Sequence, residues 1–104
     1  MPNQVLFRRL CQVKYQGGAP KQLQLIFCIP AYNEVLKAFK VSMYLESEYF
    51  EAELFGIGED EAQAFFMLPK VSIDYLKRKA EEGYISYWWE EGDLDYQDFW
   101  TYKP

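Results

Sequence analysis

Apolar and polar residues alternate along the first half of the chain, which is the period of a β-strand with one buried face. Between Val5 and Tyr15 every second residue is apolar except Arg9, and a second alternating run, KQLQLIFC, stops before Pro30, which has no N–H for a sheet ladder. The tract QGGAP between the two runs contains glycines that can adopt positive φ. Residues 4 to 29 are therefore predicted to form an antiparallel hairpin.

Two further strands are predicted after the loop PAYNE. Apolar residues occupy every second position of AFKVSMYLE and of EYFEAELF, and polar residues stand between them. The stretch YISYWW near the C-terminus has a similar alternation and is compatible with a short fifth strand.

The period changes from two to nearly four after the tract GIG at residues 56 to 58. Acidic residues precede this run and the basic tract KRK at 77 to 79 ends it, as the helix dipole favours, and Gly83 suits the position after a helix. Pro69 removes a backbone hydrogen bond inside the run, so the helix is predicted to kink or split near Leu68. The predicted buried stripe comprises Ala62, Phe65, Phe66, Pro69, Ile73, Leu76 and Ala80.

A sheet and a helix with one apolar face each bury those faces most simply against one another. The sequence therefore predicts an α+β fold, in which a four- to five-stranded antiparallel meander carries one main helix on one face. Residues 1 to 104 are predicted to form a single domain, and residues 84 to 104 are its acidic, aromatic C-terminal segment.

The order of these elements resembles a family of small uncharacterised bacterial domains. In that family an arginine-led strand, a second strand, a short strand pair and a helix start of the form YG.DS.QAL follow one another. LFRRLCQVKY, KQLQLIF and KVSMYLESEYFEAELF match the strands, and FGIGEDEAQAF occupies the place of the helix start. The resemblance extends from residue 4 to about residue 95. It implies the same fold and a similarity to immunity proteins, which protect a cell from toxins.

Charge is distributed unevenly along the chain. The net charge is −5, but residues 1 to 33 hold four basic residues and no acid, whereas the remainder holds seven basic residues and sixteen acids. Nucleic-acid binding depends on clustered lysine and arginine, so this balance argues against direct nucleic-acid binding and favours a basic protein partner. No apolar run approaches the roughly 20 residues that cross a bilayer. A cytoplasmic protein without membrane contact is expected.

Catalytic chemistry is restricted by the absence of histidine. Neither a nucleophile paired with imidazole nor a histidine-based zinc site can be formed. The acidic stretch EEGDLDYQD lacks the ligand spacing of a calcium loop. We therefore predict no catalytic residue, no metal and no cofactor. Cys11 and Cys28 fall on opposite faces of the predicted sheet and are expected to be inert, reduced thiols.

The segment YWWEEGDLDYQDFW at residues 87 to 100 combines many rings and carboxylates without a basic residue. Neighbouring rings of an extended chain point to opposite faces, so the core can take some of these rings but not all of them. Exposed tryptophan and tyrosine are typical anchors of binding sites, and carboxylates around them speed encounter with a basic surface. The predicted partner-binding residues are the anchors Trp88, Tyr96 and Trp100 and the acids Glu90, Glu91, Asp93, Asp95 and Asp98.

The leading functional hypothesis is a stoichiometric protein inhibitor, specifically an immunity protein or antitoxin that neutralises a basic toxin or effector. A first alternative is a phage-type anti-defence inhibitor whose carboxylates imitate nucleic-acid phosphate. A second alternative is a self-associating accessory or structural subunit that forms a homodimer.

A second candidate surface is predicted where strands three and four would align Tyr44, Glu46, Glu48, Glu51 and Glu53.

Overall fold

The computed structural model describes residues 4–87, and in this range the chain folds into an antiparallel sheet with two consecutive helices on one face. The α+β fold with a meander and a split helix is therefore confirmed. In chain order the elements are β1 (Val5–Tyr15), β2 (Lys21–Cys28), β3 (Ala31–Asn33), β4 (Ala38–Glu46), β5 (Glu51–Gly58), α1 (Glu61–Phe66), α2 (Leu68–Glu81) and β6 (Tyr84–Tyr87).

The sheet follows the order of the chain except at its last strand. β1, β2, β4 and β5 pair successively, and β6 returns to pair with the other edge of β1. β5 pairs with β4 along Phe39 to Glu46, so β2 and the three-residue β3 share the opposite edge of β4. The sequence pattern did not predict β3, which lies inside the PAYNE loop directly after Pro30.

The turn between β1 and β2 differs from the prediction in one respect. The residue with positive φ is Gln16, at 48°, and neither Gly17 nor Gly18 adopts such a conformation. Gly18 is required for space instead, because a Cβ there would lie 2.9 Å from the carbonyl oxygen of Tyr15. The N–H of Gln16 donates to the carbonyl of Gly83 at 3.0 Å, which ties this turn to the start of β6.

The core lies between the sheet and the helices, on the face that the alternation predicted. Alternate residues from Leu23 to Phe27 in β2 and from Val41 to Leu45 in β4 are fully buried there, and Cys11 and Val13 of β1 join them. Arg9, which interrupts the alternation, lies opposite Leu25, and partial burial lowers the pKa of its guanidinium. The buried cluster comprises Cys11, Val13, Leu23, Leu25, Phe27, Val41, Met43, Leu45, Ala64, Leu68 and Leu76.

The helical run is split at Met67, close to the predicted position. α1 ends at Phe66 and α2 begins at Leu68, which puts Pro69 in the first turn of α2. A proline is tolerated there because the first N–H groups of a helix have no partner within it. At the start of α1 the carboxylate of Asp60 accepts a hydrogen bond from the N–H of Gln63 at 2.7 Å, which caps the helix.

The buried stripe of the helices is partly different from the predicted one. Ala62 and Phe66 are exposed, Phe66 by 72%, whereas Ala64 and Leu68 are fully buried together with Ser72 and Leu76. The hydroxyl of Ser72 donates to the carbonyl of Pro69 at 3.1 Å, so it is satisfied inside the core. Hydrophobicity alone favoured Phe66 over Ala64, but the close approach of α1 to the sheet requires a small residue at the contact.

This close approach is permitted by two glycines of β5. A Cβ at Gly56 would lie 2.2 Å from the carbonyl oxygen of Ala64, and one at Gly58 would lie 2.4 Å from the nitrogen of the same residue. α1 therefore rests its backbone directly on β5, with no side chain between them.

The far end of α2 is held by a group of aromatic rings around Lys79. Gly83 follows the helix with φ of 104°, and the chain then enters β6 at Tyr84. The ring of Tyr84 lies 4.8 Å from Tyr15, 5.6 Å from Phe50 and 5.6 Å from the ammonium of Lys79. The beginning of the C-terminal segment thus belongs to the same sheet and core as the rest of the described chain.

Candidate functional site

The face of the sheet opposite the helices carries a group of carboxylates on β4 and β5. Met43 and Leu45 are buried under the helices, so the intervening Tyr44 and Glu46 face the other way. On β5, Glu53 lies opposite Tyr44 and Glu51 lies opposite Glu46. We call this surface the acidic face, and it comprises Tyr44, Glu46, Glu51 and Glu53.

Two carboxylates of the acidic face are held directly across from one another. The N–H of Ser47 donates to the carbonyl of Phe50 at 3.0 Å, so the next pair, Glu46 and Glu51, is of the non-hydrogen-bonded kind, in which side chains are closest. Like charges in such a pair destabilise a sheet. Among residues 4–87 neither glutamate forms an ion pair. β4 and β5 therefore hold two like charges directly opposite each other.

Glu53 and Glu48 differ from this pair in their surroundings. Glu53 accepts a hydrogen bond from the hydroxyl of Ser42 at 3.3 Å, which orients its carboxylate on the acidic face. Glu48 lies in the turn between β4 and β5, and its carboxylate is 2.9 Å from the ammonium of Lys21. This hydrogen bond raises the pKa of Lys21. The prediction that Glu48 joins the carboxylate row was wrong, because the alternation it assumed ends at the turn.

The outer face of β5 continues from the carboxylates into an apolar part. Phe55 and Ile57 are 45% and 42% exposed. The ammonium of Lys40 lies 4.4 Å above the ring of Phe55. Sequence reasoning missed these two residues, although the same alternation that marked Glu51 and Glu53 continues through ELFGIG. The exposed side chains of β5 therefore change from acidic to apolar along a single strand.

Neither a metal site nor a membrane helix is found in the described part of the chain. No group of three or more histidine, cysteine, aspartate or glutamate side chains within residues 4–87 is arranged to hold a metal ion. Over the same residues no helix has the length and apolar character needed to cross a membrane.

The two cysteines lie on opposite faces of the sheet, as predicted, and form no disulfide. Cys11 belongs to the core. Cys28 points to the opposite face but is also buried, with 1% exposure. Burial raises the pKa of the Cys28 thiol, and the nearby carboxylate of Glu53 raises it further. A raised pKa keeps the thiol protonated and weakly nucleophilic at neutral pH.

Cys28 is expected to react with iodoacetamide at pH 8 at least about tenfold more slowly in the folded protein than in urea, because the thiolate is the reacting species. Mass spectrometry of the labelled peptides measures this rate. The pKa of Cys28 is higher in the folded protein than in the unfolded chain, so its thiol also makes the free energy of unfolding depend on pH. The contribution of the thiol is complete below the ordinary pKa of about 8.5 and is lost as the pH rises above it. Equal rates in the two states would show that Cys28 is accessible.

The residues predicted to bind a partner begin directly after β6. Tyr87, the last residue of that strand, is 7% exposed and lies on the side of the sheet opposite Tyr84 and Ser86. All eight predicted residues lie outside the described range, namely Trp88, Glu90, Glu91, Asp93, Asp95, Tyr96, Asp98 and Trp100. Their role in binding therefore stays a prediction.

We compared the chain with protein-family models, with curated proteins and with solved structures. None of the three comparisons found a match. The similarity to small bacterial domains of the immunity type therefore stays a prediction.

Proposed function

We propose that the protein is a stoichiometric inhibitor that binds a basic protein, as an immunity protein or antitoxin binds its toxin. The observation that carries this proposal is the pair Glu46 and Glu51, which β4 and β5 hold opposite each other with no cation between them in the described range. A basic side chain from a partner would turn this repulsion into attraction, so that binding relieves a cost present in the free protein.

The rigid support of the acidic face favours a role in recognition. Its side chains stand on β4 and β5, which pair with each other from Phe39 to Glu46, and the buried residues Met43 and Leu45 fix β4 against the helices. A backbone held in this way loses little conformational freedom on binding, which increases the affinity that a given set of contacts provides.

The C-terminal segment completes the proposed binding surface. Trp88, Tyr96 and Trp100 act as anchors in this proposal, and the surrounding acids Glu90, Glu91, Asp93, Asp95 and Asp98 steer the partner. Their combination of rings and carboxylates supports the assignment, because exposed rings cost solubility unless a partner covers them. The proposed action is occlusion of the partner in the cytoplasm, without catalysis by this chain.

The test begins with capture of the partner on the immobilised protein and elution with a salt gradient. We expect one basic protein to be released between low and moderate salt. The activity of that purified protein should then fall linearly with added inhibitor and reach its minimum at one equivalent. A linear decrease that continues beyond several equivalents would contradict stoichiometric inhibition.

The double variant Trp88→Ala and Trp100→Ala is expected to weaken binding of this partner by about 1,000-fold, because each true anchor contributes on the order of 2 kcal/mol, which is about 30-fold. The free energy of unfolding should change little. Titration calorimetry measures the first quantity and urea unfolding the second. Phe66→Ala removes an exposed ring elsewhere and serves as the control. A large loss of stability in the double variant would instead identify these rings as core residues.

A second function is favoured by the presence of several carboxylates on one rigid face, namely imitation of nucleic-acid phosphate by an anti-defence inhibitor. In that case the captured partner would be a nucleic-acid-binding protein. Duplex DNA added at increasing concentration should then displace it from the acidic face. A toxin that binds through a surface without affinity for DNA would not be displaced.

The third candidate is a self-associating subunit. The aromatic C-terminal segment would then pack against its own copy, Lys103 and the basic residues Arg8, Arg9 and Lys14 would pair with the acidic segment of the neighbour, and a symmetric dimer would form. Light scattering at micromolar concentration distinguishes the two states, since the inhibitor proposal expects a monomer.

A further inference from the structure

β5 is an edge strand whose outer edge remains available in the described part of the chain. Its eight residues pair without a register shift to β4, and within residues 4–87 no strand pairs with its other edge. Proteins commonly protect such edges with proline, lysine, a bulge or a very short strand. β5 has none of these features, and its charged side chains are the carboxylates of Glu51 and Glu53.

The hydrogen-bonding groups that point to this open edge can be identified from the ladder. Ser47 and Phe50 form a hydrogen-bonded pair, because the N–H of Ser47 donates to the carbonyl of Phe50 at 3.0 Å. Bonded and non-bonded pairs alternate along an antiparallel ladder, so the bonds to β4 come from the even-numbered residues of β5. The N–H and C=O groups that face outward belong to Glu51, Glu53, Phe55 and Ile57.

A groove runs along this edge between β5 and α2. It is lined on the strand by Glu53, Leu54 and Phe55, and on the helix by Val71, Asp74 and Arg78. An extended chain in the groove would find backbone donors and acceptors on one side. Its side chains would alternate between the helix and the outer face of the sheet. Grooves beside an edge strand are a recurrent site at which proteins add a peptide as an extra strand.

We propose that a partner inserts an extended segment into this groove and pairs with β5 as an additional antiparallel strand. The segment carries two basic side chains opposite Glu51 and Glu53 and two apolar side chains opposite Phe55 and Ile57, with a small apolar residue against Val71. This proposal rests on the proposed binding function and specifies the chemistry of the partner.

The order of acidic and apolar side chains along β5 favours such a partner over two other candidates for the groove. These are the C-terminal segment of the same chain and a second copy of β5. The C-terminal segment of the chain itself is acidic from residue 90 to residue 98, so it would bring carboxylates beside Glu51 and Glu53. A second copy of β5 paired about Leu54 would set Glu51 against Ile57 and Glu53 against Phe55, which matches neither charge nor apolarity. A strand with basic and apolar halves matches both.

The probe for the test is the peptide acetyl-Thr-Val-Thr-Val-Val-Arg-Thr-Lys-amide, added to the full chain labelled with ¹⁵N. Antiparallel pairing brings its arginine and lysine opposite Glu53 and Glu51. In the free protein the amides of the four outward-facing residues should exchange with solvent rapidly, while those of Ala52 and Leu54 exchange slowly. At saturation we expect the exchange of the four outward amides to slow at least tenfold.

Two controls separate the backbone from the charge. A peptide with glutamate in place of arginine and lysine should bind at least about tenfold more weakly. Glu53→Thr removes the carboxylate and keeps the N–H, whereas Glu53→Pro removes both, and proline is tolerated where the N–H faces outward on an edge. We expect Glu53→Pro to bind the first peptide more weakly than Glu53→Thr does.

Three outcomes would overturn the proposal. They are slow exchange of the four amides in the free monomer, absence of peptide binding at millimolar concentration, and slow exchange that depends on protein concentration, which would assign the edge to a second copy. If the peptide fails but a basic protein is still inhibited at one equivalent, the groove is not the site and the proposed function stands. If the peptide binds but no protein is inhibited, the groove is a peptide-binding site and the proposed inhibitor function is wrong.

Discussion

Gly56→Ala is expected to lower the free energy of unfolding by about 3 kcal/mol, since overpacking at a rigid contact costs on this order. The added Cβ would lie 2.2 Å from the carbonyl oxygen of Ala64 and 2.9 Å from the Cβ of Met67. The first of these atoms belongs to the backbone of α1 and cannot move without moving the helix. Urea unfolding followed by circular dichroism measures the loss.

Gly17→Ala is the matched control, because no atom lies within 4 Å of the corresponding Cβ and the residue is exposed. It should change stability by less than about 0.5 kcal/mol. If both variants had the same small effect, α1 would not rest directly on β5. The lining of the groove between β5 and α2 would then need revision as well, because both helices pack against that strand.

Glu51→Lys is expected to stabilise the protein and weaken its binding to a basic partner at the same time. Replacing the repulsion between Glu46 and Glu51 by an attraction should add about 0.5 kcal/mol to the free energy of unfolding. The same lysine would oppose the basic surface of the partner, and we expect an increase in Kd of about 30-fold or more. Thermal unfolding and titration calorimetry measure the two effects.

Glu81→Lys makes the same change in net charge at an exposed position near the end of α2. We expect its effect on Kd to be at most about threefold, and this residual effect should disappear as salt screens long-range attraction. Opposite changes in stability and affinity at Glu51 are the sign of a residue retained for binding. Unchanged affinity in Glu51→Lys would remove the acidic face from the proposal.

Most of the fold could be predicted because two periods dominate the sequence. The alternation in β2 and β4 reports which face is buried, and each of Leu23, Leu25 and Phe27 is fully buried as expected. The split of the helix follows from the geometry of proline, so Pro69 located it to within two residues. Both signals are local, and local signals can be read from a chain without knowledge of its contacts.

The features that the sequence did not predict depend on distant contacts. The positive φ of Gln16 accompanies its hydrogen bond to Gly83, which is distant from it in the sequence. Ala64 is buried instead of Phe66 because the glycines of β5 admit only a small residue. β3 is a strand only because β4 presents an edge to it after Pro30. None of these causes lies within the window over which periodicity is measured.

The candidate site, too, was predicted where the signal is local and was missed where it depends on distant contacts. Alternation correctly assigned Tyr44, Glu46, Glu51 and Glu53 to one face, and it failed for Glu48, where the turn brings Lys21 into contact. The open edge of β5 was not predictable, because whether a strand lies at an edge depends on the order of all strands. The role of the residues from Trp88 onward rests on composition alone.

The pairing of the first long strand with the last one has a consequence for synthesis of the protein. β1 cannot acquire its second neighbour until residues 84 to 87 have emerged, roughly 4 to 14 seconds after β1 at 5 to 20 residues per second. During that interval the nascent hairpin of β1 and β2 presents an incomplete sheet. Ribosome-bound chains halted before Tyr84 should therefore bind chaperones more strongly than chains halted well beyond Tyr87.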